Sequence, residues 1–368
     1  MLLNTWSLAL SLGSLLVVFL LTVAAISAVR VLRHWNPASD DERQISLESE
    51  IWLSSTLVAY ALIIQIISLV LLALAADEFA GVITGAMCAT GTLQVNEFGL
   101  PSLLVKLAGV FFYGFWLVLH RLDVSSEHYP LVKVKCWYLL ALLPLVAVDI
   151  TLQSMYLLHI HPDVIVSCCA VVFSAGAGDG QFFVELAGDR LVPWFYGALV
   201  VLVLLGGVLA WRLRPPVDHW QGAATIPPPA PFPGFRSFSL LAALYGLAWL
   251  IFLPLALLTI TTVISSYIYA MPFHNCPFCI LKQEYAYIGF AIYGTLLAAA
   301  FFALSAPLAG LLIGRFSGSG TSAREDREGL IVPRYQSLAV RWSLFLLLLF
   351  AFFSSFHYLR YLVMGGEV

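Results

Sequence analysis

Residues 286–314 read AYIGFAIYGTLLAAAFFALSAPLAGLLIG and contain no charged side chain. About 20 mostly apolar residues, wound into a helix, cross the roughly 30 Å hydrocarbon core of a bilayer. Seven more such stretches lie near residues 6–29, 51–75, 102–120, 137–159, 192–211, 238–265 and 338–362. The runs are continuous rather than alternating, which favours helices over a β-barrel. The sequence therefore predicts an all-α, polytopic membrane helix bundle with about eight transmembrane helices, forming a single transmembrane domain over residues 1–368.

The composition supports the same class. Hydrophobic residues make up 61% of the 368 residues and charged residues only 11%, whereas a soluble domain carries about 25% charged residues. So few charges cannot cover a globular surface, so the lipid bilayer is the expected partner. The chain contains 18 Lys and Arg and 21 Asp and Glu, which gives a formal net charge of −3. Because this leaves no large basic surface, we expect no nucleic-acid binding.

Lysine and arginine are distributed unevenly among the connections. Most of them fall in the linkers 30–50, 121–136, 212–237 and 315–337. The loops 76–101, 160–191 and 266–285 hold only Arg190 and Lys282. Since basic connections stay in the cytoplasm, this predicts that both termini and the three poorly basic loops are extracytoplasmic. The expected location is the inner (cytoplasmic) membrane of a bacterial cell, as a multi-pass protein.

Five of the six cysteines fall in the three predicted outer loops. They are Cys88, Cys168, Cys169, Cys276 and Cys279. A periplasmic face supports disulfide formation, whereas the cytosol keeps thiols reduced. Five is an odd number, so at least one of these cysteines is free, metal-bound or joined to another molecule. This clustering predicts sulfur chemistry at the outer face.

The most specific motif is His274-Asn275-Cys276-Pro277-Phe278-Cys279, just before the seventh span. A Cys-x-x-Cys at a helix N-terminus places thiolates beside unpaired backbone N–H groups and the positive end of the helix dipole. Such surroundings activate a thiol for exchange. The motif is thus a candidate redox-active dithiol, a structural disulfide, or half of a metal site.

A second candidate is the vicinal pair Cys168-Cys169. Adjacent cysteines form a strained, easily reduced disulfide, bond to separate partners, or hold a soft metal together. In a redox relay, one of them would exchange electrons with Cys276 or Cys279. In the structural alternative, one of them is bonded to Cys88 and the other is a buried small side chain.

Two ionisable residues lie within predicted spans: Lys106 in the third and Asp149 in the fourth. A charge inside a membrane faces a partner or water, and these consecutive spans are antiparallel, so the two side chains can approach each other. Gln153 lies one turn from Asp149 on the same helix face. The group is either a cofactor pocket for a quinone head group, a proton path, or a structural ion pair.

These residues lead to three hypotheses of function. The first is a thiol–disulfide oxidoreductase that passes electrons between an extracytoplasmic thiol carrier protein and a membrane quinone. In its CPFC motif and its CC-bearing loop, the chain resembles disulfide-forming membrane oxidoreductases and vitamin K epoxide reductases. The resemblance implies catalytic roles for Cys276, Cys279, Cys168 and Cys169. Cys88, the remaining outer cysteine, is a further candidate catalytic residue.

The second hypothesis is binding or transport of a soft metal such as copper or mercury. Its candidate ligands are Cys168, Cys169, Cys276, Cys279 and His274. In its vicinal cysteines the chain is similar to bacterial mercury-transport membrane proteins. The third hypothesis is a non-enzymatic membrane subunit whose cysteines brace its outer loops.

Overall fold

The structure is a computed structural model that describes residues 4–35, 42–125, 131–161, 164, 166, 190–213, 235–271, 274, 276–314 and 325–363. Every regular element in these ranges is helical. Eight of the helices are long and apolar enough to cross a membrane, as the sequence predicts. They run over Thr5–His34, Gln44–Phe79, Gly99–Val124, Val132–Leu158, Leu191–Arg212, Leu240–Tyr269, Ile288–Leu311 and Val332–Val363.

The described residues pack into two compact units. The first unit contains α1 (Thr5–His34), α2 (Glu42–Phe79), α3 (Ala89–Leu93), α4 (Gly99–Val124) and α5 (Val132–Leu158). It also includes residues 260–290 and the end of the last helix from His357. The candidate thiol chemistry lies in this unit.

The four long helices of the first unit share a core of aliphatic, small and aromatic side chains. Its members include Val17, Ala24, Ala61, Trp116 and Leu139. Since lipid tails are as apolar as leucine, association in a bilayer depends on close packing and on polar contacts rather than on the hydrophobic effect. Buried alanines at Ala24 and Ala61 serve that packing because they let helix backbones approach.

A second core closes one end of the same bundle. Here Leu10 of α1, Phe79 of α2, Leu93 of α3 and Tyr156 of α5 are buried together. Phe278, from the Cys-x-x-Cys motif, packs against this cluster. The motif is thereby attached to the bundle end at which α1 begins and α2 and α5 finish.

The second unit is built from α6 (Leu191–Arg212), α7 (Phe235–Thr259), α9 (Ile288–Gly314, from residue 291) and α10 (Glu325–Val363, to residue 356). Rings of Phe195, Phe252 and Phe350 contact one another there at centroid distances of 5.6 to 6.2 Å. Ser343 Oγ donates to the carbonyl of Ala299 and lies 2.9 Å from the Tyr245 hydroxyl. Hydroxyl contacts of this kind join transmembrane helices at modest gain in stability.

The sixth span is not a regular α-helix throughout. Pro254 lies inside α7, where its ring removes one backbone hydrogen bond. A π-helical turn, Ile260–Ile264, follows and leads into the short helix α8 (Ser265–Tyr269). Ala270 then ends the span in the left-handed region with φ of 53°. The chain thus leaves this span directly into the Cys-x-x-Cys segment.

Candidate thiol site

Three cysteines from two separate connections meet in the first unit. The sulfur atoms of Cys88, Cys276 and Cys279 all lie within 4.8 Å of one another. Cys88 Sγ and Cys276 Sγ are 3.3 Å apart, although the residues are 188 positions apart in the chain. All three side chains are buried. We call this group the thiol site.

A tight turn positions Cys88. Gly85 has φ of +85°, and a Cβ there would lie 2.6 Å from the carbonyl oxygen of Val166. Only glycine fits such a left-handed, closely approached position without strain. Cys88 then precedes α3, and its carbonyl accepts a hydrogen bond from the Gly91 amide. The local fold therefore fixes this thiol at the start of a short helix.

The Cys-x-x-Cys segment does not begin a transmembrane helix, contrary to the sequence-based expectation. Cys279 starts a single 3₁₀ turn, Cys279–Leu281, and another turn follows over Gln283–Tyr285. Both Ala286 and Tyr287 have positive φ, and α9 begins only at Ile288. The sequence-based argument that the dipole of this helix activates the two thiols therefore does not apply.

Left-handed residues enclose this segment on both sides. Ala270 precedes it, and Ala286 and Tyr287 follow it, with φ of 53° to 56°. A residue other than glycine pays about 1–2 kcal/mol to adopt that conformation. Such strain persists where the surrounding contacts outweigh it, and it is concentrated at functional sites. The strain therefore marks the described residues between Ala270 and Ala286 as held in place by their contacts.

Several polar contacts hold the segment in place. The hydroxyl of Tyr269 donates to the carbonyl of Cys276. Lys282 Nζ donates to the carbonyl of Met87 at 3.0 Å and lies 3.5 Å from Asp77 Oδ1. Lys282 thereby connects the end of α2, the residue before Cys88 and the Cys-x-x-Cys segment.

The electrostatic surroundings are mixed in sign. Burial alone would lower the pKa of Lys282, but the Asp77 carboxylate and the Cys279 and Cys88 sulfurs outweigh burial and raise it. Burial raises the pKa of Tyr285, and Cys279 adds to that rise. Thr90 Oγ1 lies 3.2 Å from Cys276 Sγ, where its hydroxyl can donate to a thiolate. The ammonium and the hydroxyl both favour negative charge on the sulfurs.

The remaining candidate ligands of the sequence analysis lie apart from this group or outside the described residues. Cys168 and Cys169 lie outside the described residues. Val166, which precedes them in the sequence, donates its amide hydrogen to the carbonyl of Thr84 at 3.3 Å, in the turn before Cys88. The ring of His274 packs edge-on against Tyr269 with centroids 4.6 Å apart, and His274 is not part of the three-sulfur group. Cys136 is buried among the core residues of α5.

The expected contact between Lys106 and Asp149 is present. Lys106 Nζ lies 2.9 Å from Asp149 Oδ1, and both side chains are fully buried. Asp149 Oδ2 accepts hydrogen bonds from Gln65 at 2.6 Å and Tyr113 at 3.1 Å. The lysine also donates to Ser68 at 2.8 Å.

This polar network connects α2, α4 and α5 at mid-bundle. Protein groups already contact the charged atoms, which favours the structural interpretation over a pocket that awaits a quinone. Gln153 belongs to a neighbouring contact instead, since its amide donates to Ser14 Oγ at 2.9 Å. A role of Lys106, Asp149 or Gln153 in cofactor binding stays a prediction.

A second buried ion pair was missed by sequence reasoning, which counted Lys135 only as one of the basic residues of the linker 121–136. Lys135 Nζ lies 2.8 Å from Asp123 Oδ2, and the two side chains are 4% and 0% exposed. Asp123 Oδ1 also accepts from the Leu131 amide, so it closes the connection between α4 and α5. The available signal was an acid before the connection and a base after it, only 12 positions apart in the sequence.

No disulfide joins the cysteines in the part of the chain that the structure describes. The 3.3 Å separation of Cys88 and Cys276 exceeds a disulfide bond length of about 2.05 Å. No protein-family model matches the sequence, and no curated protein and no solved structure is significantly similar to it. The geometry of the thiol site is therefore the basis for a proposal of function.

Proposed function

We propose that this chain is an integral membrane thiol–disulfide redox protein, with Cys88, Cys276 and Cys279 as its exchange site. The contact that carries the proposal is the 3.3 Å approach of Cys88 Sγ to Cys276 Sγ. The third sulfur, Cys279, lies within 4.8 Å of both. Closing a disulfide from this arrangement needs a shift of little more than an ångström. The thiol of Cys279 is then close enough to attack this disulfide.

The exchange step balances within the site. In the oxidised state Cys88 and Cys276 share a disulfide. The Cys279 thiolate attacks Cys276 Sγ, a Cys279–Cys276 bond forms, and Cys88 leaves as a thiolate. No net electrons are transferred in this step, so the disulfide moves between the two connections. The Lys282 ammonium favours by charge the thiolate forms of the attacking Cys279 and the leaving Cys88, and Thr90 can donate to Cys276 Sγ when that sulfur is reduced.

The two-electron step needs an external partner. Two thiols of the site give up two electrons and two protons. The electrons and protons pass either to a disulfide of an extracytoplasmic carrier protein, which becomes a dithiol, or to a membrane quinone, which becomes a quinol. Of the three sulfurs, Cys279 belongs to the most exposed side chain, at 7%, so we assign it the first contact with the carrier. We retain Cys168 and Cys169 as proposed exchange partners of this site.

The side of the membrane is part of the proposal. The four basic connections favour the cytoplasm for the opposite ends of the helices, and on that basis we propose that the thiol site faces the outer side of a bacterial inner membrane. An oxidising compartment there suits reversible disulfide chemistry.

The test is thiol trapping of the purified full-length protein in detergent. The protein is equilibrated with glutathione buffers of different redox poise, with and without a quinone analogue, and quenched with a mass-tagged maleimide. We expect two thiols to change state reversibly in the wild type and in the matched control Cys136→Ser. In Cys276→Ser the transition should be lost at this site. Thiols of Cys88, Cys276 and Cys279 that stay in one state under all conditions would overturn the proposal.

A further inference from the structure

We propose that the reduced thiol site binds one Cu(I) ion through the sulfur atoms of Cys88, Cys276 and Cys279. This inference does not depend on disulfide exchange, because it concerns the reduced state alone. It also changes the ligand set that the sequence suggests: Cys88 replaces His274, and the vicinal cysteines are not required.

The spacing of the sulfurs fits a three-coordinate centre. Metal–thiolate bonds of about 2.3 Å, arranged in a trigonal plane, place the sulfurs about 4 Å apart. In the thiol site one pair is 3.3 Å apart, and all three sulfurs lie within 4.8 Å of one another. An ion at the centre therefore requires shifts of less than an ångström for each sulfur.

The donor set selects a soft ion. Three thiolates with no nitrogen or carboxylate ligand among the described members of the group match Cu(I). Zinc normally takes four protein ligands in structural sites. His274, the nearest imidazole in sequence, packs on Tyr269 instead. Three-coordinate Cu(I) thus fits the described ligands best.

The surroundings also suit an ion held by thiolates. Three thiolates and Cu(I) carry a net charge of −2. The Lys282 ammonium lies close enough to Cys279 and Cys88 for their sulfurs to raise the pKa of this lysine. Thr90 can donate to Cys276 Sγ from the outer shell, as groups that tune metal ligands do. Tyr269 fixes the Cys276 backbone. Burial of all three cysteines keeps water away from the ion.

Copper and disulfide chemistry at this site exclude each other. When a carrier disulfide or a quinone accepts two electrons from Cys88 and Cys276, these two sulfurs form a disulfide and two of the three thiolate ligands are lost, so the ion leaves as Cu(I) without changing its own charge. Binding of Cu(I) in turn protects the thiols from oxidation. Copper occupancy would then depend on the redox state of the outer compartment.

The test is an anaerobic titration of the reduced full-length protein in detergent with Cu(I), in competition with a chromophoric Cu(I) chelator. We expect one Cu(I) per chain, with only sulfur neighbours by X-ray absorption. Cys88→Ser, Cys276→Ser and Cys279→Ser should each weaken binding by at least tenfold. Cys136→Ser should bind as the wild type does.

Two further variants keep the outcome decisive. A Cys168→Ser/Cys169→Ser double variant should retain Cu(I), and far-UV circular dichroism should show that each serine variant keeps its helices. If Cys276→Ser is helical and still binds Cu(I) as tightly as the wild type, the proposal is wrong. The same holds if the reduced wild type fails to compete for Cu(I). Because the titration contains no disulfide turnover, its result is independent of the trapping experiment.

Discussion

Replacing Asp149 with Asn should strongly destabilise the first unit. The substitution leaves the Lys106 ammonium fully buried, 2.9 Å from a group that no longer carries charge. Gln65 and Tyr113 also lose a charged acceptor. Removing one partner of a buried pair typically costs about 3–5 kcal/mol, because the remaining charge is uncompensated. We expect a loss of this size in the free energy of unfolding, measured by reversible SDS unfolding in detergent micelles.

The double variant Lys106→Met/Asp149→Asn separates the ion pair from the shape of the side chains. It removes both charges, and neutral replacements of buried pairs are often tolerated. It should recover at least about 2 kcal/mol relative to Asp149→Asn alone. The matched control is Arg30→Gln, which breaks the largely exposed Arg30–Glu50 pair and should cost at most about 1 kcal/mol. An Asp149→Asn protein as stable as Arg30→Gln, or a double variant no better than the single one, would refute this reasoning.

Four other substitutions, one of them a control, test separate parts of the structure. Asp123→Asn should lower the free energy of unfolding by about 3 kcal/mol because Lys135 remains buried without its counter-charge; a loss under 1 kcal/mol in the same SDS assay would mean that the pair is solvated. Gly99→Ala should cost about 1–3 kcal/mol because its Cβ would overlap a backbone carbonyl oxygen. Gly207→Ala, whose Cβ meets open space, should be neutral or slightly stabilising; equal losses in the two would contradict the packing. Lys282→Met should cost at most about 1 kcal/mol at neutral pH. The pKa of Lys282 is raised on folding. The stabilising contribution of its charge is therefore complete below the ordinary lysine pKa and is lost as the pH rises through the raised value. A difference in stability between the wild type and Lys282→Met that persists above that range would argue against the ion pair.

The eight helices that are long and apolar enough to cross a membrane could be predicted because their sequence signal is long and uninterrupted. Spans of 22 to 36 residues leave little doubt about element type, and in lipid the helix satisfies its own backbone. Their ends were harder to predict. α2 begins at Glu42, nine residues before the apolar run near residue 51. The polar turns before that run belong to the same helix, and they contain no glycine or proline that would mark a boundary.

The polar network was predicted in part. Lys106 and Asp149 are unusual enough within apolar spans to suggest each other as partners. Gln65 of α2 joins this network by donating to Asp149. Tyr113 gave no comparable signal, because tyrosine is common in membrane helices and only the packing places its hydroxyl on the carboxylate.

The thiol site could be predicted from the sequence only in part. The motif Cys276-x-x-Cys279 was recognisable, and so was its location between two spans. Its partner was not, because the meeting of Cys88 with Cys276 depends on the tertiary fold of two connections. The start of α9 was also placed too early, since the positive φ of Ala286 and Tyr287 occurs at residue types that rarely adopt it.

Disulfide mapping tests the convergence of the sulfurs most directly. The full-length protein in detergent is treated with a mild thiol oxidant, digested without reduction and analysed by mass spectrometry. The structure predicts a peptide pair linked through Cys88 and Cys276, whose sulfurs are 3.3 Å apart, and loss of that pair in Cys88→Ser. Oxidised protein in which Cys88 never links to Cys276 or Cys279 would contradict the account.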